Sequence, residues 1–110
     1  SSGSVYYIKS QNRGETWGNP MQIATGTKPV LRLNRHLGVL ALGYIRGGTI
    51  YMRQSDASGF GSERAVQTQA QPVAFTYEFM PDGSISLVYQ DGSGNLRYVK
   101  SSDNGHTWTE

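Results

Sequence analysis

The chain has 110 residues, no cysteine, 14 glycines and a net charge of +2. The length suits one domain or a piece of one, the lack of cysteine excludes disulfides and thiolate chemistry, and no apolar run approaches the roughly 18 residues of a membrane span. The ten Lys and Arg residues are scattered, whereas a nucleic-acid footprint is a clustered basic patch, so neither nucleic acid nor a membrane span is expected.

In chain order, residues 1–4 (Ser-Ser-Gly-Ser) read as a flexible N-terminus or linker, and 5–110 as repeated β units. Val5–Ser10 is a strand of alternating and aromatic residues. It leads into Ser10-Gln11-Asn12-Arg13-Gly14-Glu15-Thr16-Trp17. Strands are then expected from Pro29, Val39, Thr49 and Arg64, separated by Gly, Pro, Asn and Asp turns. We label these four strand types a, b, c and d. No stretch carries a helical period. The c strand recurs: Val5–Ser10, Ile50–Ser55 and Leu96–Ser101 align at spacings of 45 and 46 residues. Pro29–Leu33 aligns with Pro72–Thr76, and Gly38–Tyr44 with Gly83–Tyr89. A unit of about 45 residues with four antiparallel strands is the size of a β-propeller blade.

A turn box follows each c strand. Ser10, Asn12, Gly14, Thr16 and Trp17 match Ser101, Asp103, Gly105, Thr107 and Trp108. Ser and Asp or Asn side chains hold such a turn through nearby backbone groups, Gly supplies positive φ, and Trp starts the return strand with a large ring to bury. The middle box keeps Ser55 and Gly59 but has lost the Asp and the Trp.

The pattern Ser-x-Asp-x-Gly-x-Thr-Trp, present twice at whole-repeat spacing with a decayed copy between, resembles the Asp box of sialidase-type (BNR-repeat) β-propellers. The resemblance covers nearly the whole chain. It implies an all-β fold of antiparallel propeller blades, about two per chain, with the box as a structural c–d turn on the face opposite the ligand site. The order c-d, a-b-c-d, a-b-c is too few blades to close a ring, since propellers typically have 4–8. The expectation is therefore a homo-oligomer, three chains giving the six blades of the resembled sialidases, or a segment of a longer chain. Leu96–Ser101 and Val5–Ser10 then both claim the c position.

Strand order puts the b–c and d–a connections on the expected functional face. Tyr44 and Tyr89 sit at equivalent positions there, where phenol rings can stack on a sugar, and Arg46 can pair with a carboxylate. Lys28, Gln71, Gln90 and Asp91 complete the candidate ligand-binding set. Equally, the tyrosines serve as packing residues and Arg46 as a solvated turn charge. The resemblance implies for a sialidase an Arg triad, a Tyr–Glu nucleophilic pair, an Asp acid/base and an Arg-Ile-Pro motif. Arg-Ile-Pro is absent, and no motif assigns those roles to Arg32, Arg46, Tyr77, Glu78 or Asp91. Asp82 and Asp103 fall on the opposite face.

No cofactor is expected. His36, in an a–b turn, and His106, in a box, lack ligand spacing for zinc. Asn12, Asp56 and Asp103 are too sparse for a calcium cage of 6–8 oxygens. Gly59-Phe60-Gly61 lacks the context of a nucleotide loop. The leading expectation is a non-catalytic carbohydrate-binding or scaffold module. The alternatives are a sialidase-like glycoside hydrolase fragment, and a structural propeller segment of a phage or surface protein or an engineered fragment. An extracellular or virion-surface setting fits best.

Overall fold

A computed structural model describes residues 3–35, 37–56 and 59–110. His36, Ala57 and Ser58 lie outside the described residues, as do Ser1 and Ser2, so the expectations for His36 and for most of the N-terminal linker find no structural counterpart here. Among the described residues ten strands run in order: β1 (Ser4–Tyr7), β2 (Met21–Thr25), β3 (Thr27–Asn34), β4 (Val39–Arg46), β5 (Thr49–Asp56), β6 (Gly59–Phe60), β7 (Arg64–Ala65), β8 (Pro72–Phe79), β9 (Ile85–Asp91) and β10 (Leu96–Ser101). All pairings are antiparallel and the fold is all-β.

Three small sheets result. β1 pairs β2; β3, β4 and β5 form a meander with β6 and β7 along β5; and β8, β9 and β10 form a second meander. A bridge between Lys100 and Thr109 begins the return from β10. The pairings follow the expected order c-d, a-b-c-d, a-b-c. Of the two rival c strands, β10 holds β9 through six residue pairs, whereas β1 pairs only β2.

The sheets stack face to face, and side-chain alternation decides which neighbour each residue meets. On β4, Leu42 and Tyr44 join Val5 and Ala24 of the first sheet. Ala41 and Ile45 point the other way and join Ile50, Met52 and Val66 in a cluster with Tyr77, Ile85, Leu87, Tyr89, Val99 and Trp108 of the third sheet. The middle sheet is thus covered on both faces, which explains the nearly continuous burial of β4. Gly43 allows the closest approach: a Cβ there would lie 2.8 Å from the Phe75 ring and 3.0 Å from the Tyr77 ring. The Tyr77 hydroxyl lies 2.9 Å from the Val30 carbonyl and 3.0 Å from the Ala41 carbonyl, tying the third sheet to the second.

Two sequence alignments need correction. Paired register places Leu31 opposite Leu42 and Tyr77 opposite Leu87. Since Leu42 and Leu87 are equivalent, Leu31 matches Tyr77, and the a strands align at a spacing of 46 rather than at their prolines. Each a strand carries its own irregularity beside its proline, between Thr27 and Val30 and between Pro72 and Ala74, so the two prolines hold different stations. Second, the middle box has kept an aromatic. The amides of Gly18, Gly61 and Thr109 donate to the carbonyls of Lys9, Gln54 and Lys100 at 2.9, 2.8 and 2.9 Å. These bonds mark one station in three units, and the residues before it are Trp17, Phe60 and Trp108. The middle box is two residues shorter, so Phe60 replaces the tryptophan.

The two complete boxes have the same geometry. Ser10 Oγ donates to Asn12 Oδ1 at 2.9 Å and accepts from the Gly14 amide at 2.8 Å. Ser101 Oγ donates to Asp103 Oδ1 and accepts from the Gly105 amide, both at 2.8 Å. The Thr16 and Thr107 amides donate to Asn12 Oδ1 and Asp103 Oδ1 at 2.9 and 2.8 Å. Gly14 and Gly105 both have φ of 89°, where any side chain is strained. The packing differs. Trp108 is 8% exposed and Trp17 58%, because the middle sheet covers Trp108 and no described residue covers Trp17 in the same way.

Candidate functional site

The β4–β5 and β9–β10 turns and the β2–β3 and β7–β8 connections gather at one end of the stack. Gly47 and Gly48, with φ of 60° and 78°, make a two-residue hairpin turn of the kind that needs positive φ twice. The space a side chain on Gly48 would need is filled by Gln71 of the next connection. Gly26, in the β2–β3 connection, comes as close to Tyr44 and the Ile45 carbonyl: a Cβ would lie 2.9 Å from the ring and 2.8 Å from the oxygen.

Tyr44 and Arg46 come together here with three residues that sequence reasoning missed. The Tyr44 hydroxyl donates to Glu63 Oε2 and accepts from Arg53 Nε at 3.0 Å. Arg46 forms a forked pair with Glu63, at 2.6 and 3.0 Å, and its guanidinium carbon stands 4.4 Å from the Tyr51 ring centroid. Arg53 completes the charge set at 3.8 Å from Glu63. Burial, reinforced by Glu63, raises the Tyr44 pKa and keeps the phenol protonated. The bond from Arg46 chiefly holds the Glu63 carboxyl low.

Tyr89 repeats the arrangement. Its hydroxyl faces Glu110 Oε1 and Oε2 at 2.9 and 2.7 Å and accepts from the Ala70 amide at 3.3 Å. Glu110 also receives the Gln69 amide at 2.8 Å and Arg97 at 3.2 Å. Burial would raise Glu110, but these donors outweigh it and its pKa falls. Asp91 is 6% exposed. It accepts from the Ser93 and Asn95 amides at 2.9 and 3.0 Å and from Arg97 Nε at 2.9 Å, so it anchors its own turn. Arg97, before the other donors, lowers it.

Tyr44 and Tyr89 are 0% and 1% exposed, so neither ring offers a free face for a sugar to stack on. Each fastens a returning d segment to its b–c hairpin. Of the remaining candidates, Lys28 is exposed with φ of 57°, Gln71 is exposed beside Gly48, and Gln90 is exposed opposite Leu96. No direct bond joins these three to either cluster among the described residues. The clusters were hidden because Glu63 and Glu110 follow the boxes at offsets differing by one residue, so no shared motif surrounds them.

Two of the open clefts among the described residues lie away from these clusters. One of about 730 Å³ runs between the β3–β4 and β8–β9 ends, lined by Arg32, Leu33, Arg35, Glu78, Phe79, Met80 and Pro81. Arg32 Nε and Glu78 Oε1 pair there at 2.9 Å. The other, about 660 Å³, surrounds Trp17, with Tyr7, Lys9 and Met21 in its lining. Among the described residues no group of three His, Asp or Glu could hold a metal, and no helix is long and apolar enough to cross a membrane. The chain matches no protein-family model, and no curated protein matches its sequence.

Proposed function

We propose that the chain is about two blades of a sialidase-like Asp-box β-propeller, acting as a non-catalytic carbohydrate-binding or scaffold module. The observation that carries this reading is the doubled Tyr–Glu–Arg cluster. Tyr44–Glu63 and Tyr89–Glu110 contain the residue types of a nucleophilic Tyr–Glu pair. Yet the same pair recurs one unit later, and each carboxylate is neutralised by arginine. Repetition at equivalent stations favours a blade-fastening role. Hydrolysis of a glycoside needs two carboxylates set roughly 5–9.5 Å apart and available to substrate. Here Glu63, Glu78, Asp91 and Glu110 are ion-paired, and Asp82 and Asp103 hold turns.

Glycan contacts on this reading come from Lys28, Gln71, Gln90 and the outer side of Arg46, with self-assembly supplying avidity. Three copies of two blades would make six. A glycan array tests the reading: retention of a defined glycan class, weakened in the Lys28→Ala/Gln71→Ala double variant, supports it. Absence of retention reduces it to a scaffold, and turnover of a fluorogenic sialoside replaces it with the hydrolase reading.

A further inference from the structure

The chain makes one packing contact twice and holds both halves of a third. The c strands present alternate residues toward the following unit. Val5 and Tyr7 do so on β1, and Tyr7 meets the Phe60 ring edge-on at 5.4 Å. Ile50 and Met52 do so on β5, in one cluster with Trp108. The equivalent residues on β10 are Leu96 and Tyr98, which are 74% and 51% exposed. The aromatic that such a pair would meet is Trp17, 58% exposed, and Ile8, just past the end of β1, is 46% exposed. Ile8 occupies the station of Val99, which is fully buried.

We infer that the β10 face of one copy, centred on Leu96, Tyr98 and Val88, packs on the Trp17 face of a second copy, head to tail. The contact continues the one already formed between the sheets of a single chain, at the same stations. No strand is exchanged: β10 keeps β9 and β1 keeps β2. The two faces differ, so the interface is heterologous and adds copies until a ring closes or a filament extends. The inference shares with the proposed function the reading of the units as stacked blades, but it is read out by mass rather than by glycan binding.

One station does not match. Inside the chain Gln54 donates to Asn104 Oδ1 at 3.0 Å. Across copies these stations carry Lys100 and Arg13, two cations. Salt screens such a pair, since the Debye length falls from about 10 Å at 0.1 M to about 3 Å at 1 M. Association is therefore stronger in high salt, and Arg13→Asn strengthens it in low salt.

The test is sedimentation of the whole chain over a concentration series at low and high salt. We expect a mass that rises above 12.1 kDa with concentration and with salt. Trp17→Ser and Tyr98→Glu each weaken association by roughly thirtyfold or more, with unchanged circular dichroism. An equimolar mixture of the two variants regains a heterodimer, because each supplies one intact face. The inference is overturned if the wild type stays monomeric in all conditions, if either variant associates like the wild type, or if the mixture stays monomeric. It is equally overturned if Trp17 binds a glycan in a chain that does not associate.

Discussion

Asn12 and Asp103 hold the same station in two boxes but send one hydrogen bond in opposite directions. The Asn12 amide donates to Thr16 Oγ1 at 2.6 Å, whereas Asp103 Oδ2 accepts from the Thr107 hydroxyl at 2.6 Å. The Thr107 hydroxyl and then its amide lower the Asp103 pKa to about 2. An unfolded Asp titrates near 3.9. The stability Asp103 contributes is therefore complete above about pH 4 and is lost as pH falls through about 2. Asn12, at the same station, carries an amide in place of the carboxyl. In Asp103→Asn the amide takes the role Asn12 already plays, so the melting temperature falls less between neutral and acidic pH than in the wild type. Asp82, Asp91, Glu63 and Glu110 are also lowered and keep the remaining acid sensitivity. An equal acid slope in wild type and variant would count against this account of the box.

The two tryptophans should differ sharply in their worth to the monomer. Trp108→Ala removes a ring buried between two sheets and costs about 3–5 kcal/mol. Trp17→Ala removes an exposed ring and stays within about 0.5 kcal/mol. Trp108→Phe is milder than the alanine change, because Phe60 already fills this station in the middle unit and Trp108 Nε1 has no hydrogen-bond partner among the described residues. Urea denaturation in dilute solution, where copies are apart, measures all three.

Packing between the second and third sheets leaves no room at Gly43. Gly43→Ala pushes a methyl into the Phe75 and Tyr77 rings and destabilises by about 1–3 kcal/mol. Tyr77→Phe keeps the ring but deprives the Val30 and Ala41 carbonyls of their hydroxyl partner, costing about 1–2 kcal/mol. The two changes act on one contact, so their combined effect should depart from the sum. Strict additivity in a double-mutant cycle would contradict the shared contact.

Glu63→Gln keeps the shape of the first tyrosine cluster and removes the only anion among its described residues. Arg46 and Arg53 then face each other and Tyr44 without a counter-charge. The expected loss is about 1–3 kcal/mol, reduced by salt because Arg46 is partly exposed. Denaturation of wild type and variant at two salt concentrations checks it.

Periodicity and turn chemistry made most of this fold legible. The c strands carry their own repeat, and the boxes mark each turn by residue type, so strand order followed from spacing alone. The a strands misled, because Pro29 and Pro72 invite an alignment that the ladder does not follow. Both a strands are irregular beside their prolines, and a bulge leaves no mark in an alignment of apolar residues. Phe60 was hidden by a box two residues short. The site was legible only in part: Tyr44 and Tyr89 were identified as equivalent, but their burial depends on Glu63 and Glu110 folding back from the far side of the box. That contact is tertiary, and no local pattern announces it.

The stacking of like units is tested most directly by quenching the chain's two tryptophans one at a time with acrylamide. In dilute solution Trp108→Phe leaves only Trp17, and the account predicts red-shifted emission with ready quenching. Trp17→Phe leaves only Trp108, with blue-shifted emission and strong protection. Equal accessibility of the two rings would contradict the claim that one unit covers the box tryptophan of the next.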